Sequence, residues 1–180
     1  MPSTPSYTRT AVLLHAAMAS LIAAGFGLGL YMTELDFSPL KLKLYSYHKW
    51  IGVSAFALWL SRLIWRTSNA APPLPAAMPR WEKTAAGASH LLLYVLMAAV
   101  PLSGWLMSSA KGVPTVLFGL WRLPDLLARH EVLGEALVAL HHNLNWALAA
   151  FVALHVAAAL KHWMVDRDGV MSRMFHWKQD

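Results

Sequence analysis

Two histidines, His141 and His155, lie fourteen residues apart within an uncharged stretch from Ala136 to Leu160. Fourteen residues of α-helix rise about 21 Å and complete almost four turns, so both imidazoles would lie on one helix face. In a bilayer core about 30 Å thick, they would lie near opposite sides. Two stacked haems need one neutral imidazole at each of two depths from such a helix, and each iron then needs a second histidine from another helix.

Long apolar stretches are the elements that must position these histidines. The sequence is 57% hydrophobic and 13% charged, with a mean hydropathy of +0.44, whereas soluble domains are typically about 25% charged. Four stretches reach or approach the roughly 20 residues that a membrane-spanning helix requires. We therefore predict an all-α integral membrane four-helix bundle formed by residues 1–180 as a single domain. The predicted helices cover approximately residues 10–33, 44–65, 84–110 and 134–163.

The basic residues indicate how the bundle is oriented. Nine of the fifteen lie on the side of both termini: Arg9, Arg62, Arg66, Arg80, Lys83, Lys161, Arg167, Arg173 and Lys178. The opposite side holds Lys41, Lys43, Lys49, Lys111, Arg122 and Arg129. This excess favours a multi-pass membrane protein with both termini in the cytoplasm. Nucleic acid is not an expected partner, because no basic face with interleaved aromatics lies outside the bilayer.

The connections and the tryptophans complete the expected topology. Residues 66–83 are predicted to be a loop, because the APPLPAAMP segment cannot form regular helix. The apolar segment Val113–Trp121 is too short to cross a bilayer and is expected at the interface. An aromatic belt near the helix ends is expected from Trp50, Trp65, Trp81, Trp121, Trp163 and Trp177. Trp59, Trp105 and Trp146 lie deeper, where they would pack against a flat cofactor or against other helices.

Depth pairs four of the histidines. His15 and His155 would lie near the cytoplasmic side, and His48 and His141 near the outer side. We therefore predict that His15 and His155 ligate an inner haem iron and that His48 and His141 ligate an outer one. His142 lies about 100° around the helix from His141 and should not share its face. The sequence contains no cysteine, so thiolate sites, iron–sulfur clusters and covalent haem attachment are excluded.

Two further histidines suggest a quinone site. His162 lies seven residues beyond His155 on the same face, at the cytoplasmic surface below the inner haem. His90 lies near the cytoplasmic start of the third helix. Either imidazole could hydrogen-bond a quinone carbonyl or pass it a proton, and simple interfacial solvation is the alternative. His130 and His176 lie in polar segments and are expected to have no particular role.

The order of several motifs resembles that of the prokaryotic cytochrome b561 family over roughly Tyr7 to Phe175. The motifs are VLLH, YHKWIG, SHLLLYVLMAAVPLSGWLM, KGVPTVLFGL, LHHNLNWALAAFVALHVAAALKHW and DRDGVMSRM. The resemblance implies a four-helix di-haem protein of the inner membrane. It assigns the haem-ligand histidines of the family to His15, His48, His141 and His155. It assigns those linked with quinone to His90 and His162. Ala16 departs from the aromatic residue that relatives often carry there, which would change packing around the inner haem.

The expected function is transmembrane electron transfer by two noncovalent b-type haems, with ubiquinone as the electron acceptor. The best-understood members of the family are superoxide oxidases, so the resemblance implies superoxide as a candidate donor. A redox partner protein is another candidate partner, alongside membrane lipid. Two alternatives remain open at this point. The chain could be the membrane anchor and quinone-reactive subunit of a partner dehydrogenase, or a histidine-lined transporter of divalent metal. A transporter site would bring its ligands to a single depth, often with carboxylates.

Overall fold

The computed structural model describes residues 6–174 and contains four long helices, one short hairpin and two terminal helical turns. The helices are α1 (Arg9–Glu34), α2 (Pro39–Ser68), α3 (Arg80–Ala110) and α4 (Glu131–Lys161). The hairpin pairs β1 (Val116–Leu117) with β2 (Trp121–Arg122). A π-helical turn, His162–Asp166, continues α4, and a 3-10 turn covers Met171–Met174. The expectations for His176, Trp177 and Lys178 lie outside the described residues.

All four helices begin earlier than predicted, and in α1, α2 and α4 a side chain of the preceding residue caps the first turn. Ser38 accepts a hydrogen bond from the Lys41 amide, and Pro39 occupies the first position of α2, where a missing N–H has no cost. His130, which was expected to have no role, accepts a hydrogen bond from the Leu133 amide through Nδ1 at 3.2 Å and caps α4. The predicted loop of residues 66–83 is therefore too long. Between α2 and α3, only residues 69–79 are non-helical. The prolines of this segment break the helix, whereas the charged residues on either side of it remain helical.

The outside of the bundle has the composition of a lipid-facing surface. Leu13, Leu91 and Val156 are 59%, 65% and 50% exposed, although each lies within a long apolar helix. By length and composition, α1, α3 and the helix Glu131–Asp166 can each cross a membrane. The second helix is long enough but less apolar, because it carries Lys41, Lys43, Lys49, Arg62 and Arg66. The fold is an all-α membrane four-helix bundle, as the sequence predicts.

The four helices are not packed equally closely. Close backbone packing joins α1 to α2, α2 to α3 and α3 to α4, whereas α4 approaches α1 and α2 much less closely. A small core of Leu93, Leu96 and Leu148 joins α3 to α4 at mid-height, and Ile22 of α1 packs against it. The contacts between α4 and the α1–α2 pair are made by side chains, among them the ring contacts of His15 with His155, of His48 with His141 and of Phe26 with Trp146.

One end of the bundle carries the hairpin and is called here the hairpin end; the other carries the start of α1 and the end of α4 and is called the terminal end. Phe118, Gly119 and Leu120 connect the two strands, and the Leu120 amide donates to the Leu117 carbonyl at 3.0 Å. Phe118 and Gly119, the central residues of this turn, have positive φ of 51° and 73°. Lys49 and Trp50 of α2 hold the segment by donating to the carbonyls of Val113 and Val116, at 3.1 and 2.7 Å. The apolar segment is thus a tethered hairpin, a detail that the sequence analysis did not predict.

Candidate functional site

The hairpin end contains His48 of α2 and His141 of α4, whose ring centroids are 6.2 Å apart and whose planes are nearly perpendicular at 88°. His141 is held by its Nδ1, which lies 3.1 Å from the Val100 carbonyl and 2.9 Å from the Ser103 hydroxyl. With Nδ1–H donating to that carbonyl, Nε2 is left unprotonated and available as a ligand. This is the usual arrangement behind a metal-bound histidine.

His48 is buried more completely and is held less directly. Its Nδ1 is buried and makes no direct hydrogen bond. A backbone group of Gly25 in α1 nevertheless lies near enough to interact with the imidazole. A metal held at Nε2 would leave the proton on Nδ1, and the backbone of Gly25 is the group nearby that can accept it.

Two glycines on neighbouring helices make room for these imidazoles. A Cβ on Gly104 would lie 3.0 Å from Cε1 of His141, and a Cβ on Gly29 would lie 3.2 Å from Cε1 of His48. Both separations are tighter than ordinary van der Waals contact, so larger residues would displace the rings. None of the other glycines has a histidine among its nearest neighbours. The sequence analysis missed both residues, because their spacing alone does not reveal which side chain they contact.

The terminal end contains His15 of α1 and His155 of α4, again with ring centroids 6.2 Å apart, but with planes inclined at only 42°. A third histidine joins this pair. His90 of α3 has its ring centroid 5.5 Å from that of His155, with the planes at 62°. Sequence reasoning placed His90 at this depth but did not predict that it would contact the ligand pair.

Arg62 supplies a positive charge at the terminal end. Its guanidinium donates to the Leu14 carbonyl at 3.2 Å, and it is close enough to His15, His90 and His155 to interact with each electrostatically. A partly buried arginine beside neutral imidazoles favours an anionic group nearby. The terminal end can therefore hold a ligand that has both a metal for the histidines and carboxylates for the arginine.

Both pairs have the spacing that one metal ion between two imidazoles requires. A metal lies about 2 Å from each imidazole nitrogen. Two such metal–nitrogen distances, added to the distance from the nitrogen to the centre of each ring, account for the observed centroid separation of 6.2 Å. Two imidazoles facing each other at each level, with glycines beside His48 and His141 at the hairpin end, are the donor set that a haem iron requires. The residues present therefore fit haem at each level.

Comparison with known proteins identifies the family. Residues 6–177 match the model of the family described as prokaryotic cytochrome b561. The chain belongs to this family. It is 35% identical to "Cytochrome b561 homolog 2" of Escherichia coli K12 over 162 residues, which are 89% of this chain and 86% of that protein. It is 29% identical to "Cytochrome b561 homolog 1" of the same organism over 125 residues, covering 68% and 69% of the two chains.

A more distant relative carries a name that specifies an activity. The chain is 26% identical over 144 residues to "Probable superoxide oxidase CybB" of Yersinia pestis, which covers 74% of this chain and 80% of that protein. Membership of the family establishes a membrane cytochrome that binds b-type haem and transfers electrons.

Other aromatic residues of this cytochrome are occupied by helix packing. The indole of Trp146 donates to Nε2 of His142 at 3.1 Å, so that histidine is engaged on its own helix. Trp59 donates to the Tyr94 carbonyl at 3.0 Å, and Trp105 donates to the Pro124 carbonyl at 3.1 Å. These contacts favour the packing interpretation of the deeper tryptophans. Trp65, expected in the interfacial belt, has a buried Nε1 without a hydrogen-bond partner.

The two histidines linked with quinone line different cavities at the terminal end. His90 lines a cavity of about 300 Å³ together with Arg66, Leu91 and Tyr94. His162 lines a cavity of about 200 Å³ together with Trp163, Arg167 and Met171. Among the described residues, no lining residue is common to the two cavities, so His90 and His162 are separate candidates for a quinone contact.

Proposed function

We propose that this cytochrome carries two noncovalent b-type haems and passes electrons across the bacterial inner membrane to ubiquinone. The observation that supports it most directly is the repetition of one geometry. His48 and His141 at the hairpin end, and His15 and His155 at the terminal end, share a ring separation of 6.2 Å. Two pairs at two levels match a chain of two redox centres better than a transport site with ligands at one depth.

In this proposal the four histidines hold the irons from both sides. Haem supplies reversible one-electron transfer, and its potential is tuned by its axial ligands, burial and nearby hydrogen bonds. Two imidazoles would hold each iron, so electron transfer, not oxygen binding, is the chemistry that the group would supply here. The Ser103 and Val100 contacts engage Nδ1 of His141, which leaves Nε2 as the nitrogen that would hold the iron. Arg62 is suited to pair with a haem carboxylate at the terminal end.

The orientation of the protein belongs to the same proposal. The basic residues on the terminal side place both termini in the cytoplasm. Electrons would enter at the hairpin end, on the outer side, and leave at the terminal end. On the outer side, Lys111 pairs with Glu135 and Arg122 pairs with Asp125. Among the described residues of this side, Lys41, Lys43, Lys49 and Arg129 are basic and form none of the ion pairs above, so they are suited to attract an anionic donor such as superoxide.

Electron acceptance is proposed at the terminal end, at His90 or His162. The His90 cavity adjoins the histidine cluster directly, because the His90 ring lies 5.5 Å from that of His155. His162 follows His155 by about two turns on the same helix face and lines its own cavity. Either imidazole can donate a hydrogen bond to a quinone oxygen and deliver a proton from the cytoplasmic side.

The proposal is tested first by cofactor content and then by turnover. Pyridine haemochrome analysis of the purified protein should give two b-type haems per chain, and one haem would contradict the two-centre arrangement. The purified protein should next be mixed with superoxide and a soluble ubiquinone analogue, and quinol formation followed by absorbance. Quinol formation above the rate without protein supports superoxide as donor. If reduced protein is oxidised by quinone but superoxide does not reduce it, a different donor is indicated.

A further inference from the structure

A network of charged side chains surrounds His162 at the junction of α3 and α4. Nδ1 of His162 lies 2.7 Å from Asp168 Oδ2 and 3.1 Å from Asp166 Oδ2. Lys161 joins Asp166 to Glu82 at the start of α3, with contacts of 2.7 and 3.0 Å. The His162, Asp166 and Asp168 side chains are only 15%, 25% and 20% exposed. This is a partly enclosed network that reaches the cytoplasmic surface in the proposed orientation.

The backbone is shaped so that Asp168 can reach back to His162. The chain leaves α4 through the π-helical turn His162–Asp166, and Arg167 then adopts a left-handed conformation with φ of 49°. This reversal, which costs energy for a residue other than glycine, places Asp168 beside the imidazole six residues earlier. Asp168 is fixed there because its other oxygen, Oδ1, accepts from the Val170 amide at 3.1 Å.

We propose that Asp168 is the positioning residue of a proton-donating His162 in quinone reduction, an inference that rests on the proposed quinone site. With Nδ1–H donating to Asp168, Nε2 is the nitrogen that faces a ligand. The carboxylate fixes this tautomer and stabilises the positive charge of the doubly protonated imidazole. Asp166 adds a second, longer contact and links the imidazole to Lys161.

The proton step balances as follows. A quinone takes up two electrons and two protons to become a quinol, and the electrons come from the haems of the cytochrome. For one of the protons, the Nε2–H bond of His162 breaks and an O–H bond forms on the reduced quinone oxygen. The imidazole is left neutral with Nδ1–H still donating to Asp168, and water on the cytoplasmic side restores the proton on Nε2.

The same residues are less suited to a metal ion. Glu82, His162 and Asp166 have ligand atoms within 4.8 Å of one another, as a small cation site would need. However, the ammonium of Lys161 already contacts both Glu82 and Asp166 and supplies the positive charge between them. Nδ1 of His162 is also engaged by Asp168. The arrangement is therefore that of a hydrogen-bonded proton pathway.

The test compares two oxidants of the reduced holoprotein in stopped-flow experiments. A soluble ubiquinone analogue takes up protons with its electrons, whereas ferricyanide takes up electrons alone. Asp168→Asn keeps the size of the side chain and removes its charge. This variant should lower the rate of oxidation by quinone by about tenfold or more. General acid–base groups contribute roughly a hundred- to ten-thousand-fold to a rate, and a positioning residue accounts for part of that factor. Oxidation by ferricyanide and the haem spectrum should not change, and Asp168→Glu should recover part of the quinone rate.

The control is Asp125→Asn at the opposite end of the bundle, which makes the same change of side chain at an exposed ion pair with Arg122 and should leave both rates unchanged. A wild-type quinone rate in Asp168→Asn, with slow oxidation in His162→Ala, would overturn the inference and leave the quinone site at His162 intact. A wild-type rate of oxidation by quinone in His162→Ala would overturn both the role of Asp168 and the quinone site at His162. Equal slowing with ferricyanide in Asp168→Asn would show a structural role and also overturn the inference.

Discussion

The two histidine pairs have the same ring separation but different surroundings. At the hairpin end, His141 is held by Val100 and Ser103, and both rings lie against glycines of neighbouring helices. At the terminal end, the pair of His15 and His155 is joined by His90, Arg62 and a cavity. The first environment confines both rings by close packing and holds one of them by hydrogen bonds, and the second leaves polar groups and space beside the rings.

This difference has a functional meaning for an electron-transfer protein. A centre that only receives and passes on electrons gains from rigid ligands, because a fixed environment keeps its potential constant. A centre that delivers electrons to a bulky acceptor that takes up protons also needs an approach route and proton donors. The terminal end has both features, so the asymmetry of the site agrees with the proposed direction of electron flow.

The largest expected effect is the loss of one haem from one end of the bundle. His141→Ala should remove the haem at the hairpin end and retain the other, and His155→Ala should do the reverse. The reason is that His141 and His155 of α4 each belong to only one of the two pairs. Haem content and the optical spectrum of each purified variant provide the measurement. His142→Ala is the control, since that imidazole accepts a hydrogen bond from Trp146 instead. Loss of both haems in each variant would show that the two levels are not independent.

The sequence predicted most of this comparison, because depth along a helix can be read from spacing. The assignment of His15 to the level of His155, and of His48 to that of His141, follows from helix rise and chain direction alone. The sequence could not predict which residues contact each imidazole on the side away from its partner histidine. The contacts of Ser103 and Gly104 with His141 depend on the rotation of α3 against α4. The reach of Asp168 back to His162 depends on a π-helical turn and one left-handed residue, which no periodic pattern indicates.

The next effect distinguishes the three histidines of the terminal end. If His15 and His155 are the ligands, His90→Ala should retain two haems and an unchanged spectrum, yet slow oxidation by a ubiquinone analogue by roughly tenfold to a hundredfold through loss of a hydrogen-bond or proton donor. His15→Ala should lose the terminal-end haem. Haem content and stopped-flow oxidation measure the two properties separately. A reversed result, with haem lost in His90→Ala and kept in His15→Ala, would assign the ligand role to His90.

A smaller effect is expected from filling the space beside a ring at the hairpin end. Gly29→Ala places a Cβ 3.2 Å from His48, and overpacking of this kind costs about 1–3 kcal/mol. The variant should bind the hairpin-end haem more weakly, measured as faster haem loss to an acceptor protein. Gly27→Ala on the same helix is the matched control, because a Cβ there meets nothing within 4 Å. Equal rates of haem loss in the two variants would contradict the explanation that Gly29 makes room for the His48 ring.

The smallest expected effect concerns the hydrogen bond behind His141. The Ser103 hydroxyl lies 2.9 Å from Nδ1 of His141. It also donates, at 2.7 Å, to the Val100 carbonyl, which is the other group in contact with this nitrogen. Ser103→Ala removes one of the two contacts of Nδ1 and leaves the Val100 carbonyl in place, so the tautomer should survive. A neutral hydrogen bond contributes about 0.5–1.5 kcal/mol, which corresponds to a modest change in haem affinity or potential. Redox titration should show a shift confined to the hairpin-end haem, because His15 and His155 lie at the other level. A shift of similar size in both haems would mean that Ser103 acts through the packing of α3 and not through His141.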